Sequence, residues 1–118
     1  MVDALGNRDQ RTVLRAASSL LGDREPPLRI LAMVSRQLRM IGRMHEGLAQ
    51  GMAPQEAAVA AGAPPFKARD LAQAAKRFGR VQLASAFRVL SEADQALKGD
   101  KRQPELVLEA ALLELTRA

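Results

Sequence analysis

The sequence predicts an all-α fold, a compact bundle of about six helices, and three observations carry that expectation. Segment after segment, apolar residues recur at the three- and four-residue spacing that builds one face of a helix. Strand formers are scarce: aromatics make up 3% of the chain, all of them Phe, and no run alternates with period two. Gly and Pro punctuate the chain so that these segments are joined by short connections, as in an antiparallel or orthogonal bundle. With 118 residues, 47% hydrophobic and 26% charged, the composition is globular and sized for one core. That core must be filled by Leu, Ala, Val, Ile and Met.

Gly6 and Asn7 interrupt the opening segment, whose Val2, Ala4 and Leu5 read as the tail of an earlier helix. So abrupt a start reads as a piece excised from a larger protein. Asp9 or Asn7 caps the next helix, Gln10 to Leu21, where Val13, Leu14, Ala17, Leu20 and Leu21 form the face to bury. The polar run Gly22 to Glu25 breaks it, and Pro26-Pro27 opens the longest helix, to about Gln50, because a proline in the first turn forfeits no intrahelical hydrogen bond. Leu31, Val34, Leu38, Ile41 and Leu48 line one stripe of that helix, and Ile30, Met33, Met40 and Met44 widen it. A stripe so wide has more than one neighbour to pack against, which makes this the central helix. Gly51 ends it. A short helix from Pro54 to Ala61 follows, closed by Gly62, then one from Phe66 to Phe78 with Leu71, Ala74, Ala75 and Phe78 inward. The segment from Val81 to Lys98 turns Leu83, Phe87, Leu90 and Leu97 to one side. After the polar loop from Gly99 to Gln103, Pro104 and Glu105 start the last helix, with Val107, Leu108, Ala111, Leu112 and Leu115 buried.

Catalytic chemistry finds little support. There is no Cys, the single histidine, His45, sits beside Leu38, Ile41 and Leu48 as a hydrogen-bonded core-edge imidazole, and no metal-ligand spacing or Gly-Lys-Ser/Thr phosphate loop occurs. No cofactor is expected, and the chain reads as non-catalytic. No apolar run is long enough to span a membrane and no secretory signal opens the chain, so a cytoplasmic, membrane-free protein is expected. The formal charge of +5 favours encounters with nucleic acid or an acidic protein without requiring either.

Several polar residues stand out. Arg29, Arg36 and Arg43 repeat every seven residues and, with Arg39, form a basic ridge: a solvated face, or a contact with a neighbouring protein or a nucleic-acid backbone. Asp94 falls on the apolar face of its helix, so a partner is expected, with Lys98 four residues on as the nearest; Asp94→Ala is then expected to destabilise the fold. Gln37, between Val34 and Ile41, is placed to cross-link helix ends or a loop. Ala58, Gly62, Ala68 and Leu71 have helix-turn-helix spacing, but Pro64, Pro65 and Phe66 occupy the positions that would face bases. A DNA-binding module of that type is the alternative reading.

In one register, these segments resemble a known family. The run Pro26 to Arg39 (PPLRILAMVSRQLR), Gly51 to Ala63 (GMAPQEAAVAAGA), Pro65 to Leu71 with Ala74 to Phe78 (PFKARDL, AAKRF) and Ala93 to Gly99 (ADQALKG) are similar to the C-terminal collar domain of the bacterial clamp-loader delta subunits of DNA polymerase III. Val2 to Asp9 is similar to the end of the collar's first helix and the turn after it. Leu38 stands where the family usually has Phe, and Pro64-Pro65-Phe66 is more proline-rich than its pattern. The resemblance implies that residues 1–118 are one C-terminal collar, an oligomerisation domain whose role is structural. In that family the collar associates with the gamma or tau and delta-prime collars, while an N-terminal ATPase-like region engages the sliding clamp to be placed on primed DNA. A buried patch between neighbouring collars is then expected, with Arg29, Arg36, Arg39, Arg43 and an exposed side of the last helix as its candidates; whether the ridge touches DNA directly is left open.

Overall fold

The computed structural model describes residues 2–99 and 102–117, without the side chains of Val2 and Asp3. Asp100 and Lys101, in the polar loop read from the sequence, lie outside the described residues. Among those described there are seven α-helices and no strand: α1 (Val2–Gly6), α2 (Gln10–Gly22), α3 (Pro27–Ala49), α4 (Pro54–Ala60), α5 (Ala68–Arg77), α6 (Arg80–Gly99) and α7 (Pro104–Leu115). A 3₁₀ turn, Pro65–Lys67, leads into α5.

Each boundary has a local cause. Asp9 caps α2: its Oδ1 accepts the Thr12 N–H at 3.3 Å and its Oδ2 the Thr12 hydroxyl at 2.7 Å. Pro27, Pro54 and Pro104 occupy first turns, where the missing N–H has no intrahelical partner to lose. At the end of α4, Gly62 adopts φ +97° while Ala63 N–H returns to the Ala58 carbonyl at 2.9 Å, a closure that a side chain at Gly62 would strain. The expected helix from Phe66 to Phe78 begins instead as the 3₁₀ turn, because two consecutive prolines hold Pro64 extended and tighten the entry.

The helix α3 touches each of the other six, which is why its apolar stripe is so wide. Ile30, Leu31, Val34, Leu38, Ile41 and Met44 are all buried there, and Gly47 lets α4 approach so closely that a Cβ on it would lie 2.9 Å from the Ala57 Cβ. One continuous apolar core runs from Leu5 in α1 to Leu115 in α7. The buried face of α7 is the one read from the sequence, whereas that of α6 is rotated. Leu83, Ala86, Val89, Leu90, Ala93 and Ala96 are buried, and Phe87 and Leu97 lie at the edge. Small residues decide this, since the Ala positions let α6 fit between α3 and α7, with which it makes its packing contacts.

That rotation corrects the placement of Asp94. Its side chain is 44% exposed, at the rim rather than on the buried face, and Oδ2 lies 3.0 Å from the Lys98 Nζ one helical turn on. Gln37 is also displaced from its expected role: half-buried, it makes no side-chain hydrogen bond among the described residues and faces a cleft. His45 is a half-buried strut whose Nε2 is 2.6 Å from the Phe78 carbonyl, so that nitrogen carries the donated proton.

One long-range clasp had no counterpart in the sequence reading. Arg8, at φ 54°, lays its guanidinium 5.3 Å from the centre of the buried Phe78 ring, while Nη1 donates to the Arg77 carbonyl at 3.3 Å and Nη2 to that of Arg117. The turn after α1 is thereby tied to the ends of both α5 and α7.

Candidate functional site

The basic ridge stands on the side of α3 turned away from the core. Arg29, Arg36, Arg39 and Arg43 are all exposed. Arg29 Nη1 lies 3.5 Å from the Glu25 carboxylate, whereas Arg36, Arg39 and Arg43 have no ion-pair partner among the described residues. The ridge does not form one site with Gln37, Asp94 and Lys98. Arg39 and Asp94 border one cleft of about 380 Å³ between α3 and α6, floored by Leu31, Phe87 and Leu90, while Gln37 opens into a separate cleft on the other flank of α3.

A second surface feature lies on α7. Opposite its five buried residues, Leu106, Ala110 and Leu113 follow one another at helical spacing, with Leu106 57% and Leu113 41% exposed. An amphipathic helix packed on one side has no use for this second apolar stripe; a helix apolar all round belongs in an interior or beneath a partner. Glu105, Glu109 and Glu114 flank the stripe, with Glu114 3.4 Å from Arg117. Gln10 Nε2 donates to the Leu113 carbonyl at 3.1 Å, so α2 fixes the outer side of α7 in place.

His45 is held by the Phe78 carbonyl, and no cluster of three or more metal-ligating side chains occurs among the described residues. No helix among them is long and apolar enough to cross a membrane. The Asp9 carboxyl is held below its ordinary value, chiefly by the Thr12 hydroxyl hydrogen bond. In the segment with helix-turn-helix spacing, Ala58, Ala68 and Leu71 are buried and hold α4 against α5.

The fold as a whole has counterparts among known proteins. The chain is 26% identical over 117 residues to the DNA polymerase III subunit delta of Bacillus subtilis (strain 168), covering 99% of this chain and 34% of that protein. The solved structure of the Bacillus subtilis DNA clamp loader delta protein superposes with a TM-score of 0.82 at 26% identity, again over 99% of this chain and 34% of the other. The chain therefore spans about a third of the length of these relatives. Residues 1–115 match the family described as DNA polymerase III delta subunit, C-terminal domain, and nearly the whole chain is covered by that match. With all but its last three residues matched, this chain belongs to the family formed by the C-terminal domains of DNA polymerase III delta subunits.

Proposed function

We propose that this chain is a non-catalytic assembly domain of a clamp-loader delta subunit, which joins the gamma or tau and delta-prime collars and so supports loading of the sliding clamp on primed DNA. The observation that carries the reading is the outer stripe Leu106, Ala110 and Leu113, an apolar surface on a helix whose other side is already in the core. Covering it and its surroundings in an interface of roughly 1,200 to 2,000 Å² removes that surface from water. Arg36, Arg39 and Arg43, with no ion-pair partner among the described residues, supply a second, polar contact face, where charge sets partner choice and encounter rate more than affinity. Contact with the sliding clamp falls to parts of the longer relatives outside the span matched here, and the site of action is the bacterial cytoplasm, at the replication machinery.

Mixing the chain with purified gamma or tau and delta-prime collars and weighing the product by light scattering after size exclusion tests the reading. A stable mixed species is expected. Separate elution of all components at concentrations where the partner collars are folded would overturn it.

A further inference from the structure

Two exposed faces of this chain carry opposite charge and point to different sides of the molecule. The outer stripe of α7, Leu106, Ala110 and Leu113, has Glu105 and Glu109 along one border and Glu114 along the other. Glu105 and Glu109 have no ion-pair partner among the described residues. Of the cations nearby, Arg117 is paired with Glu114 at 3.4 Å and Arg88 with Glu92 at 3.3 Å, while Arg102 stands at the α6 edge of the stripe. The face is therefore an apolar strip with acidic margins.

The cleft of about 380 Å³ between α3 and α6 is its converse. Leu31, Phe87 and Leu90 floor it, and Leu28, in the first turn of α3, lines it while remaining 39% exposed. Arg39 borders the cleft, and exposed Arg36 and Arg43 follow about one turn to either side of it. The acids on this side are largely engaged, Glu25 with Arg29 at 3.5 Å and Asp94 with Lys98 at 3.0 Å; Glu46, two turns beyond Arg39, is the one acid on α3 itself. An apolar hollow with a basic margin suits an apolar strip with an acidic one, because association then buries hydrocarbon and brings unlike charges together. The helix α6 separates the two faces. The helix α7 packs where Val89, Ala93 and Ala96 point, whereas Phe87, Leu90 and Asp94 line the cleft.

We infer that, in the absence of other collars, the chain associates with a second copy of itself head to tail, the α7 stripe of one copy seated in the α3 to α6 cleft of the next. Contact of stripe with stripe sets glutamates against glutamates, and contact of cleft with cleft sets arginines against arginines, so the charges select the mixed pairing. Each such contact leaves one stripe and one cleft free on the pair, and association continues past the dimer until a ring closes. The inference rests on the assembly reading only in taking the outer side of α7 as a contact face; it adds the opposing face and the second copy.

The test is sedimentation velocity of the 118-residue chain alone, from micromolar to millimolar concentration, at low and high salt. The mean mass is expected to rise to at least that of two chains, and high salt should move the rise to higher concentration by screening the facing charges. Leu106→Glu with Leu113→Glu disables the stripe, and Leu28→Glu with Arg39→Glu disables the cleft. Each doubly substituted chain should remain a monomer, while an equimolar mixture of the two should form a dimer and nothing larger, because one intact stripe and one intact cleft remain between them. Should either variant melt early, Glu105→Lys with Glu109→Lys and Arg36→Glu with Arg43→Glu replace them, since these change only exposed charges. A parent chain that stays monomeric throughout, or a cleft variant that still self-associates, would overturn the inference. Mixed species with gamma or tau and delta-prime collars are weighed separately: their formation by a parent chain that stays monomeric alone sinks this inference and leaves the assembly reading standing, whereas self-association through both faces without any mixed species sinks the assembly reading alone.

Discussion

Asp9 satisfies the start of α2 with both carboxylate oxygens, and Thr12 supplies both hydrogen bonds. Because these bonds favour the charged form, the folded carboxyl titrates below its ordinary value, and its contribution is complete above the unfolded value and lost as pH falls through the depressed folded one. Asp9→Ala is therefore expected to lower the melting temperature at neutral pH, and the two melting curves, followed by circular dichroism, should converge in acid. Gly47 is a different kind of single-residue requirement. A methyl there would sit 2.9 Å from the Ala57 Cβ and 3.2 Å from its Cα, so backbone has to move. The helix-propensity gain of Gly→Ala is at most about 1 kcal/mol, while forced separation of packed helices costs about 1 to 3 kcal/mol. Gly47→Ala should thus be net destabilising in chemical denaturation, by up to about 2 kcal/mol. The Asp9 cap could be read from the sequence because it acts within one turn; the Gly47 contact could not, because Ala57 reaches it only after the chain has reversed.

Helix α6 is the element on which reading by residue size and reading by packing part company. The large residues Leu83, Phe87, Leu90 and Leu97 mark one face, yet the core is built on a face that includes Ala86, Val89, Ala93 and Ala96. Hydrophobicity alone ranks Ala low, but between α3 and α7 the absence of bulk is what permits burial. Leu90→Ala is accordingly expected to cost about 2 to 5 kcal/mol in denaturant titration, and half-buried Leu97→Ala clearly less; equal costs would restore the size-based face. The same rotation leaves the Asp94 to Lys98 pair at the surface, with side chains 44% and 63% exposed. Solvent screens such a pair, so Asp94→Ala should change the unfolding free energy by no more than about 1 kcal/mol rather than break a buried network. A larger loss would mean that Asp94 is shielded in the folded chain.

At the scale of the molecule, the radius of gyration is 14.4 Å, against about 13.5 Å for a typical domain of this length, and the long axis of 46 Å is nearly twice the other two. An elongated body exposes more flank for its volume, and the outer side of α7 adds an apolar stripe to the exposed surface. Replacing Leu106 and Leu113 together by Glu should leave the melting temperature nearly unchanged, because both side chains are already substantially in water. In the mixture with partner collars, the doubly substituted chain is expected to elute separately. Unfolding of the substituted chain would show instead that α7 needs both faces for its own stability.

Local sequence determined the order of the helices and most of their ends, the buried side of α7 and the surplus of apolar residues on its other side, because capping, proline placement and periodicity act over one to a few turns. It also carried the resemblance to the clamp-loader delta family, whose motifs lie in ordered segments along the chain. Tertiary structure alone decided which face of α6 is inside, where Asp94 and Gln37 point, that Phe66 is in water while Phe78 is enclosed, and that Arg8 joins the ends of α5 and α7. These are outcomes of helices meeting at particular distances and rotations. They depend on residues as far apart as Arg8 and Arg117, and no local pattern encodes such a meeting.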